Sequence, residues 1–440
     1  MKVLGFYIFI YTAFLLTSLS VFYPVVDSFA GNIGTSFSGQ IKLSVTAAQY
    51  KDRSIQSEFK DGRWLGENFN LRIKTRTFFN DNLSFDCHYL LNVSKSDSIK
   101  ASAFFAEKYK AIVMPGVISR IFQNEYKSDN TKLFDLSSSI TQGNGYLLDH
   151  RFDRLNLSFE NDLGKIVLGR QAVTWGNGLV FNPMDIFNPF SPYDTDRSYK
   201  NGSDMAYFEV FLKDDKSLQL IYVPGRDPQT HDIRFSKSSL GMKYHCVFNT
   251  MELDFMIAEH YNDTLAGMGC VVTPGNMIVR SDIIYTFTKS SSTENFLSLI
   301  INTDYSWVWF ARNFYGLIEY CYSGIGRDDY SKAYTDPEFF PRIERGDLFG
   351  LGRHYLSSSL KIGLTPLVDF NFTAIVNLDD PSYIFQPGIT WSIMENFEIT
   401  IGANLKSGSE GDEYGQILLP FSNRRMDSGS NIFLMVTFFF

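Results

Sequence analysis

The sequence predicts an all-β protein, a transmembrane antiparallel β-barrel of about 18 strands, within a range of about 16 to 20. Three observations predict this fold: segments of alternating polarity along the chain, an N-terminus typical of exported proteins, and a high aromatic content. Aromatic residues are 16% of the chain, with 41 Phe and 24 Tyr, whereas charged residues are only 20%. Alternation at period two gives a strand one apolar and one polar face. A barrel with lipid outside and water inside has that pattern on its strands.

The N-terminus has the composition of a secretory signal. A short basic start precedes an apolar run from 3 to 26, and the small residues Ser28 and Ala30 follow it. A positive end, an apolar core and small residues before the cut define a signal peptide. We predict a signal peptide over 1–30 and a single outer-membrane barrel domain over 31–440. The alternative is an uncleaved membrane anchor, because the apolar run is long for a signal.

Alternating segments recur from residue 37 to the C-terminus and define the predicted wall. They are 37–46, 68–79, 83–93, 146–160, 164–173, 204–213, 216–224, 238–248, 251–260, 266–273, 277–288, 295–304, 307–321, 352–362, 367–377, 382–393, 397–406 and 431–440. Tight turns are predicted near Asp81, Asn161-Asp162, Asp214-Asp215, Asn249-Thr250, Pro274-Gly275-Asn276, Tyr305-Ser306, Thr365-Pro366 and Glu395-Asn396. They alternate with connections that are mostly longer, so both termini fall on the tight-turn side and the strand number is even. The segment 94–145 has room for a helix or another hairpin, which leaves 16 or 20 strands open.

The C-terminal segment carries a second targeting feature. Five apolar residues alternate along it and share one face: Ile432, Leu434, Val436, Phe438 and Phe440. This resembles the C-terminal signature of Gram-negative outer-membrane barrels, a last strand with a terminal Phe that the barrel-assembly machinery reads. The alternative is a secreted sandwich, whose outward apolar faces would lie in water.

Composition argues against several other classes of protein. The net charge is −8 and the pI is near 5.4, so a nucleic-acid partner is not expected. The cysteines Cys87, Cys246, Cys270 and Cys321 form no Cys-x-x-Cys pair and no zinc spacing, so we predict neither a metal site nor a cofactor. A Cys246–Cys270 disulfide on nearby strands stays open.

Catalysis is not expected either. An enzyme in this architecture would need a nucleophile–His or Asp–His constellation at the outer rim. His150, His231, His260 and His354 lie in no recognisable motif. The sequence therefore predicts a protein that is not an enzyme.

Charged residues on the polar faces are the candidates for lining a pore. Arg72, Lys74 and Arg76 alternate with apolar residues and form a row of cations, which favours anionic solutes. A turn over 80–82 would place Arg76 opposite Asp86. The alternative is that these charges are paired ions that keep a polar interior hydrated. The complete predicted pore lining is Arg72, Lys74, Arg76, Asp86, Arg154, Glu209, Lys243, Asp254, Arg280 and Arg353.

The third outer connection, about 174–203, is predicted to narrow the pore. It carries too many prolines for a β-ladder and too many aromatics for a solvated linker. We expect it to fold into or across the mouth, where its rings stack on a sugar or an aromatic solute. The alternative is that the rings only attach the loop to the inner wall. The predicted constriction residues are Trp175, Phe181, Asp185, Phe187, Phe190 and Tyr193.

A family resemblance covers the same stretch. Its motifs are Gly169-Arg170-Gln171, Trp175-Gly176, Asn182-Pro183-Met184-Asp185 and Asn188-Pro189. They resemble a pattern in outer-membrane barrels of Gram-negative bacteria that are similar to porins and alginate-export-like proteins. The resemblance implies passage of a solute or a polysaccharide.

The sequence therefore predicts a porin-like outer-membrane channel for passive passage of small hydrophilic solutes or saccharides. Its expected partners are outer-membrane lipid and the barrel-assembly machinery. The sequence leaves open whether the protein forms a homo-oligomer. The alternative is a non-conducting surface barrel with a plugged lumen, which binds or assembles polysaccharide or a protein partner through its loops.

Overall fold

The computed structural model describes residues 33–108, 128–194, 199–290, 292–419 and 423–440. The predicted signal peptide lies outside the described residues. The strands are β1 Gly34–Gln49, β2 Arg63–Phe78, β3 Leu83–Ser96, β4 Ser137–Gly143, β5 Tyr146–Asn161, β6 Gly164–Gln171, β7 Ser203–Leu212, β8 Lys216–Val223, β9 Ser239–Phe248, β10 Met251–His260, β11 Asp263–Val272, β12 Met277–Phe287, β13 Phe296–Trp309, β14 Arg312–Ser323, β15 His354–Thr365, β16 Val368–Asn377, β17 Tyr383–Met394, β18 Phe397–Ser407, β19 Gln416–Leu418, β20 Arg425–Asp427 and β21 Ser430–Phe439. Within these ranges the helices are α1 Asp97–Lys108 and α2 Phe340–Arg345, besides four short 3-10 turns. Neither helix is long and apolar enough to cross a membrane.

Eighteen of the described strands form one closed antiparallel wall. Each wall strand pairs with its neighbours in the chain, and β1 closes the ring by pairing with both β2 and β21. At this seam the Gly39 amide donates to the Phe440 carbonyl over 2.6 Å, and the Phe440 amide donates back over 3.0 Å. The predicted fold class and strand number are confirmed.

The connections of the wall alternate between tight turns and outer loops. The outer loops, numbered in chain order, are 50–62, 97–145, 172–202, 224–238, 261–262, 288–295, 324–353, 378–382 and 408–429. Aspartate and asparagine enter the left-handed region more readily than most residues. They occupy that region at the tight turn Asp214–Asp215 and at Asn262 of the fifth outer loop.

One turn of the predicted wall needs correction. The turn predicted at Tyr305-Ser306 is wrong, because the ladder continues to a turn at Phe310–Ala311. Trp307 stacks on Tyr305 and on Phe314 across the ladder, and these contacts favour the longer hairpin. Both turn residues have positive φ without being Gly, Asn or Asp, so the usual turn signal is missing.

The long second outer loop adds no wall strand among its described residues. It contains α1 and β4, and β4 pairs only with the outer part of β5. The segment from 109 to 127, part of the stretch in which the sequence left room for another hairpin, lies outside the described residues. The helix that the sequence allowed in this segment is present as α1.

The two faces of the wall differ in chemistry. Ile283, Ile301 and Ile318 point outward from adjacent strands and are 46%, 48% and 57% exposed. Asp282 and Glu319 point inward on the same strands and are fully buried. An outward apolar face around a closed ring is the surface that lipid covers in membrane barrels.

Cys246 and Cys270, whose pairing the sequence left open, do not form a disulfide. Both cysteines lie opposite Leu253, one on each side of β10. Two ladder spacings therefore separate them, about 9.5 Å, whereas a disulfide joins Cα atoms about 4.4–6.8 Å apart. All four cysteines are free.

Candidate functional site in the barrel lumen

The third outer loop turns into the barrel and is held there by two carboxylates of the wall. Glu319 of β14 accepts the amides of Leu179 and Phe181, both over 2.7 Å. Asp282 of β12 accepts the amide of Asn177 over 2.6 Å. Neither carboxylate has an ion pair among the described residues, so backbone donors satisfy it instead. The loop thus crosses the inner wall as far as β14.

Apolar side chains attach the underside of the loop to the wall. Trp175 and Phe187 meet edge to face with ring centroids 4.9 Å apart, in a buried cluster with Ile221 and Met256. The Trp175 indole N–H donates to Gln219 over 2.8 Å. The prediction that rings of this loop stack on a solute is wrong for Trp175 and Phe187, because wall side chains cover them.

The other predicted constriction residues have separate surroundings. The Phe181 ring packs on Tyr355, with centroids 5.1 Å apart. The Tyr193 hydroxyl lies 2.9 Å from that of Tyr414 in the ninth outer loop, and Phe190 is partly buried. Asp185 is buried and contacts Lys200, and the burial raises the pKa of Asp185 to about 7 against the effect of that cation.

Five predicted pore-lining residues come together on β2, β3 and β5. The expected register is confirmed, since Arg76 lies opposite Asp86 and forms two hydrogen bonds with it, over 2.6 and 2.9 Å. Arg72 and Arg154 both contact Asp153, over 2.7 and 3.1 Å. We call this set the cation row: Arg72, Lys74, Arg76 and Arg154, with the acids Asp86 and Asp153.

The loop returns past the cation row at Tyr199. The Arg72 guanidinium lies 4.1 Å from the centre of the Tyr199 ring, and the Lys74 ammonium lies 3.2 Å from its hydroxyl. A cation over an aromatic face is attracted by the ring quadrupole. Tyr199 therefore connects the third outer loop to the side of the lumen opposite β14.

The remaining predicted residues are spread around the wall. Glu209 accepts from Gln219 over 2.9 Å, and Lys243 lies 3.4 Å from Asp254. Arg280 forms an ion pair with Asp304. Arg353 lies outside the wall, because it precedes β15 and contacts Asp328 of the seventh outer loop over 3.1 Å.

Sequence reasoning missed two buried acids that organise the lumen. Glu319 lies between the apolar residues Leu317 and Cys321 on one face of β14, and an acid in that position was a usable signal. Asp153 lies at a β-bulge, where the register shifts between Phe152 and Arg154. Simple alternation places Asp153 on the outer face, so the sequence pattern had no signal for it.

The first residues of the resemblance motif, Gly169-Arg170-Gln171, have a structural role. Arg170, fully buried at the end of β6, donates to both carboxylate oxygens of Asp204 at the start of β7, over 2.8 and 3.0 Å. It also donates to the Phe134 carbonyl over 2.8 Å and contacts Asp129. This bidentate pair fixes the two ends of the third outer loop beside each other.

The described ranges contain no group of three or more His, Cys, Asp or Glu residues that could hold a metal ion. No family model matches the chain. No curated protein matches it either.

Solved structures do resemble it. OccAB3 of Acinetobacter baumannii has a TM-score of 0.51 at 10% identity, covering 92% of this chain and 99% of that chain. OpdQ of Pseudomonas aeruginosa has a TM-score of 0.51 at 9% identity, over 92% and 98% of the two chains. A BenF-like porin of Pseudomonas fluorescens has a TM-score of 0.50 at 9% identity, with the same coverage. The chain therefore has the fold of Gram-negative outer-membrane porins.

Proposed function

We propose that this protein is a porin-like channel of the outer membrane, through which small hydrophilic solutes pass passively. The third outer loop is its constriction. The observation that carries this proposal is the course of that loop inside a closed wall, attached at Asp282 and Glu319. A loop that buried carboxylates hold against one side of a barrel narrows the lumen without closing it.

The cation row supplies the selectivity of the proposed channel. Its four cations face two acids, Asp86 and Asp153, so the side of the lumen formed by β2, β3 and β5 carries excess positive charge. Within a low-dielectric wall such an excess attracts anions and repels cations. Small anions are therefore expected to pass more readily than small cations.

The proposal also includes how the protein reaches its membrane. The segment 1–30 acts as a cleaved signal peptide, and β21 with its terminal Phe440 is read by the barrel-assembly machinery. Lipid covers the outward apolar face, and the barrels associate as homo-oligomers. Chemical cross-linking in native outer membranes tests the association, and N-terminal sequencing of the mature protein tests the cleavage.

Single-channel recording of the refolded mature chain under a salt gradient tests the channel. We expect stable current steps and a reversal potential that indicates anion preference. The matched variant replaces Arg72, Lys74 and Arg76 together with Glu, and should shift the reversal potential towards cations. Heat-dependent mobility on detergent gels confirms that each variant is a folded barrel.

A second candidate function becomes the better one if folded barrels insert and carry no current. In that case the protein is a surface barrel that binds polysaccharide or a protein partner through its loops. One observation favours it: Ile55, Phe105 and Leu419 from the first, second and ninth outer loops pack into one buried cluster. A conducting barrel with an unchanged reversal potential would instead remove the cation row from the selectivity argument.

A further inference from the structure

A second polar site lies on the side of the lumen away from the cation row. A cavity of ≈ 90 Å³ opens between the third outer loop and the seventh outer loop, against the inner faces of β11 to β14. One water needs only about 10–15 Å³ of such volume. The cavity therefore has room for several waters or for part of a small organic solute.

Three hydroxyls on adjacent strands form the wall of this cavity. Ser298 of β13 lies directly opposite Ser323 of β14, and Thr286 of β12 lies one pleat further along. Thr286 and Ser298 are 5% and 8% exposed. In the described part of the chain none of the three hydroxyls has a hydrogen-bond partner, and the Ser323 oxygen is fully buried. A buried hydroxyl without a partner, as at Ser323, is uncommon because it loses its hydrogen bonds to water, whereas the Thr286 and Ser298 hydroxyls remain accessible to a ligand in the cavity.

The loop side of the cavity offers a further neutral group. Asn182 of the third outer loop lines the cavity, and its side-chain carbonyl oxygen is buried without a partner among the described residues. An amide offers both donors and an acceptor. The unused hydrogen-bonding capacity of the cavity thus belongs to three hydroxyls, one amide and one carboxylate oxygen, Oδ1 of Asp185.

The ionised groups around the cavity already have counter-ions, including Asp185, which contacts Lys200 of the third outer loop. Arg342 contacts Asp263, and Asp347 lies 2.6 Å from Arg345 and 3.2 Å from His260. A charged solute would have to separate such a pair or remain without a counter-ion, and either costs far more than burying a neutral group. The electrostatics of the cavity therefore favour an uncharged ligand.

Apolar side chains cover the rest of the cavity. Phe181 and Ile186 approach from the third outer loop, Phe349 from the seventh, and Leu265 and Phe296 from the wall. A sugar ring has hydroxyls along its rim and apolar C–H faces. Hydroxyl partners on one side with aromatic and aliphatic partners on the other match that combination.

We propose that this cavity is a binding site for a neutral, hydroxyl-bearing solute, a polyol or a single sugar ring. The ring lies between Phe349 and the wall, and its hydroxyls bond to Thr286, Ser298 and Ser323. This inference rests on the proposed function, because a solute reaches the cavity through the mouth of the barrel. It adds a neutral substrate class to a channel whose opposite wall is positive.

Binding of three sugars of matched shape to the refolded mature chain tests the site. Saturation-transfer NMR with glucose, glucuronate and glucosamine compares a neutral ring with its anionic and cationic analogues. We expect glucose to bind at least about tenfold more tightly than either charged sugar. Equal affinities would overturn the proposal, and so would no binding of glucose, since the hydroxyls would then bind only water.

Isosteric variants test which residues form the site. Thr286→Val and Ser298→Ala each remove one hydroxyl, so each should weaken glucose binding about threefold to tenfold. Thr303→Val is the matched control, because Thr303 lies on β13 but faces outward opposite Ile318, and glucose affinity should not change. Equal affinity in the two cavity variants and the control would contradict the assignment, and the wild-type comparison stands if a variant fails to fold.

Current recordings separate this inference from the proposed function. Glucose should reduce the open-channel current of the wild-type barrel and reduce it less in Thr286→Val. A conducting barrel that glucose neither blocks nor binds would refute the site alone. A barrel that binds glucose without conducting would refute the channel alone.

Discussion

The two sides of the lumen contain acids that do different work. On β5, Asp153 lies between Arg72 and Arg154 and forms an ion pair with each. On β12 and β14, Asp282 and Glu319 have no ion pair among the described residues and accept backbone amides of the third outer loop. An inward acid on a barrel wall therefore serves either as a counter-ion or as an anchor for a loop, and its neighbours decide which.

The difference follows from what each side has to satisfy. A loop that enters a barrel brings backbone N–H groups with it, and buried N–H groups need acceptors. A carboxylate has two oxygens and accepts several such donors, so one acid can fix a whole turn. The cation row brings donors on its own side chains, and acids there complete ion pairs.

We call the side of the lumen that contains Asp282 and Glu319 the anchor side. It should show the largest effect of a single substitution. Glu319→Ala leaves the amides of Leu179, Val180 and Phe181 without an acceptor. Each buried donor without a partner costs about 1–3 kcal/mol, so the free energy of unfolding should fall by about 4 kcal/mol. Urea unfolding measures the loss, and single-channel current should rise as the loop leaves the wall.

Glu319→Gln keeps one acceptor oxygen and should show a smaller change in the free energy of unfolding and in the current. Equal stability of the two variants and the wild type would contradict the role of an anchor.

The cation row should show the next largest effect. Arg72→Ala leaves the buried Asp153 with Arg154 as its remaining cation, beside the Gly202 amide, and should lower the free energy of unfolding by about 3 kcal/mol. Arg76→Ala is the control, because the Arg76 side chain is half exposed and its pair with Asp86 is worth below about 1 kcal/mol. If the two variants lose equal free energy of unfolding in urea, burial does not distinguish the Arg72–Asp153 pair from the Arg76–Asp86 pair.

The outer end of the anchor side should respond to pH. Glu413 of the ninth outer loop accepts from Tyr355, Asn377 and the Leu351 amide, over 2.6, 2.7 and 2.8 Å. Burial raises the pKa of Glu413 from 4.5 to about 7, and the Asp380 carboxylate adds to the rise. The packed loop therefore binds a proton more tightly than the open loop, so its packing should weaken between pH 4.5 and about pH 7, by at most about 1.4 kcal/mol per pH unit.

Amide hydrogen exchange in the ninth outer loop measures this dependence, after correction for the intrinsic exchange rate. We expect opening to increase up to about tenfold per pH unit in that window and to level off above it. Glu413→Gln carries no titrating group and should remove the dependence. Protection that grows with rising pH would contradict the predicted direction of this pH dependence.

Lys74 should give the smallest effect on stability and so separates selectivity from folding. Its ammonium contacts the Tyr199 ring and hydroxyl and has no ion pair among the described residues. Lys74→Met keeps the length of the side chain and should change the free energy of unfolding by less than about 0.5 kcal/mol. The reversal potential should still shift towards cations, because one unpaired positive charge is lost. An unchanged potential would assign the selectivity to the other cations.

The wall was predictable from the sequence because its signals are local. Alternation gave the inward position of Arg72, Lys74 and Arg76, and the turn over 80–82 gave their register with β3. The anchors were not predictable in the same way, since Glu319 and Phe181 meet across 138 residues. Alternation also fails at the bulge beside Asp153, because one extra residue reverses the face.

The aromatic loop shows a second limit of sequence reasoning. Rings in a proline-rich segment predict that the loop packs against something, and they do not say whether the partner is a solute or the wall. Trp175 and Phe187 proved to face Ile221 and Met256, which lie on strands that follow the loop in the chain. Only the three-dimensional register of those strands distinguishes the two interpretations.

The seam between the first and last strands sets the order in which this protein can be built. Gly39 bonds to Phe440, about 400 residues later, so the ring closes only after the whole chain has been synthesised and exported. Until then β1 and β21 each present an unpaired edge, the kind of edge that pairs with other chains and aggregates. The Phe440 ring lies against Gly39 so closely that an added Cβ would come within 2.3 Å of it. Closure should therefore be the slow step of assembly, and a substitution as small as Gly39→Ala should delay it.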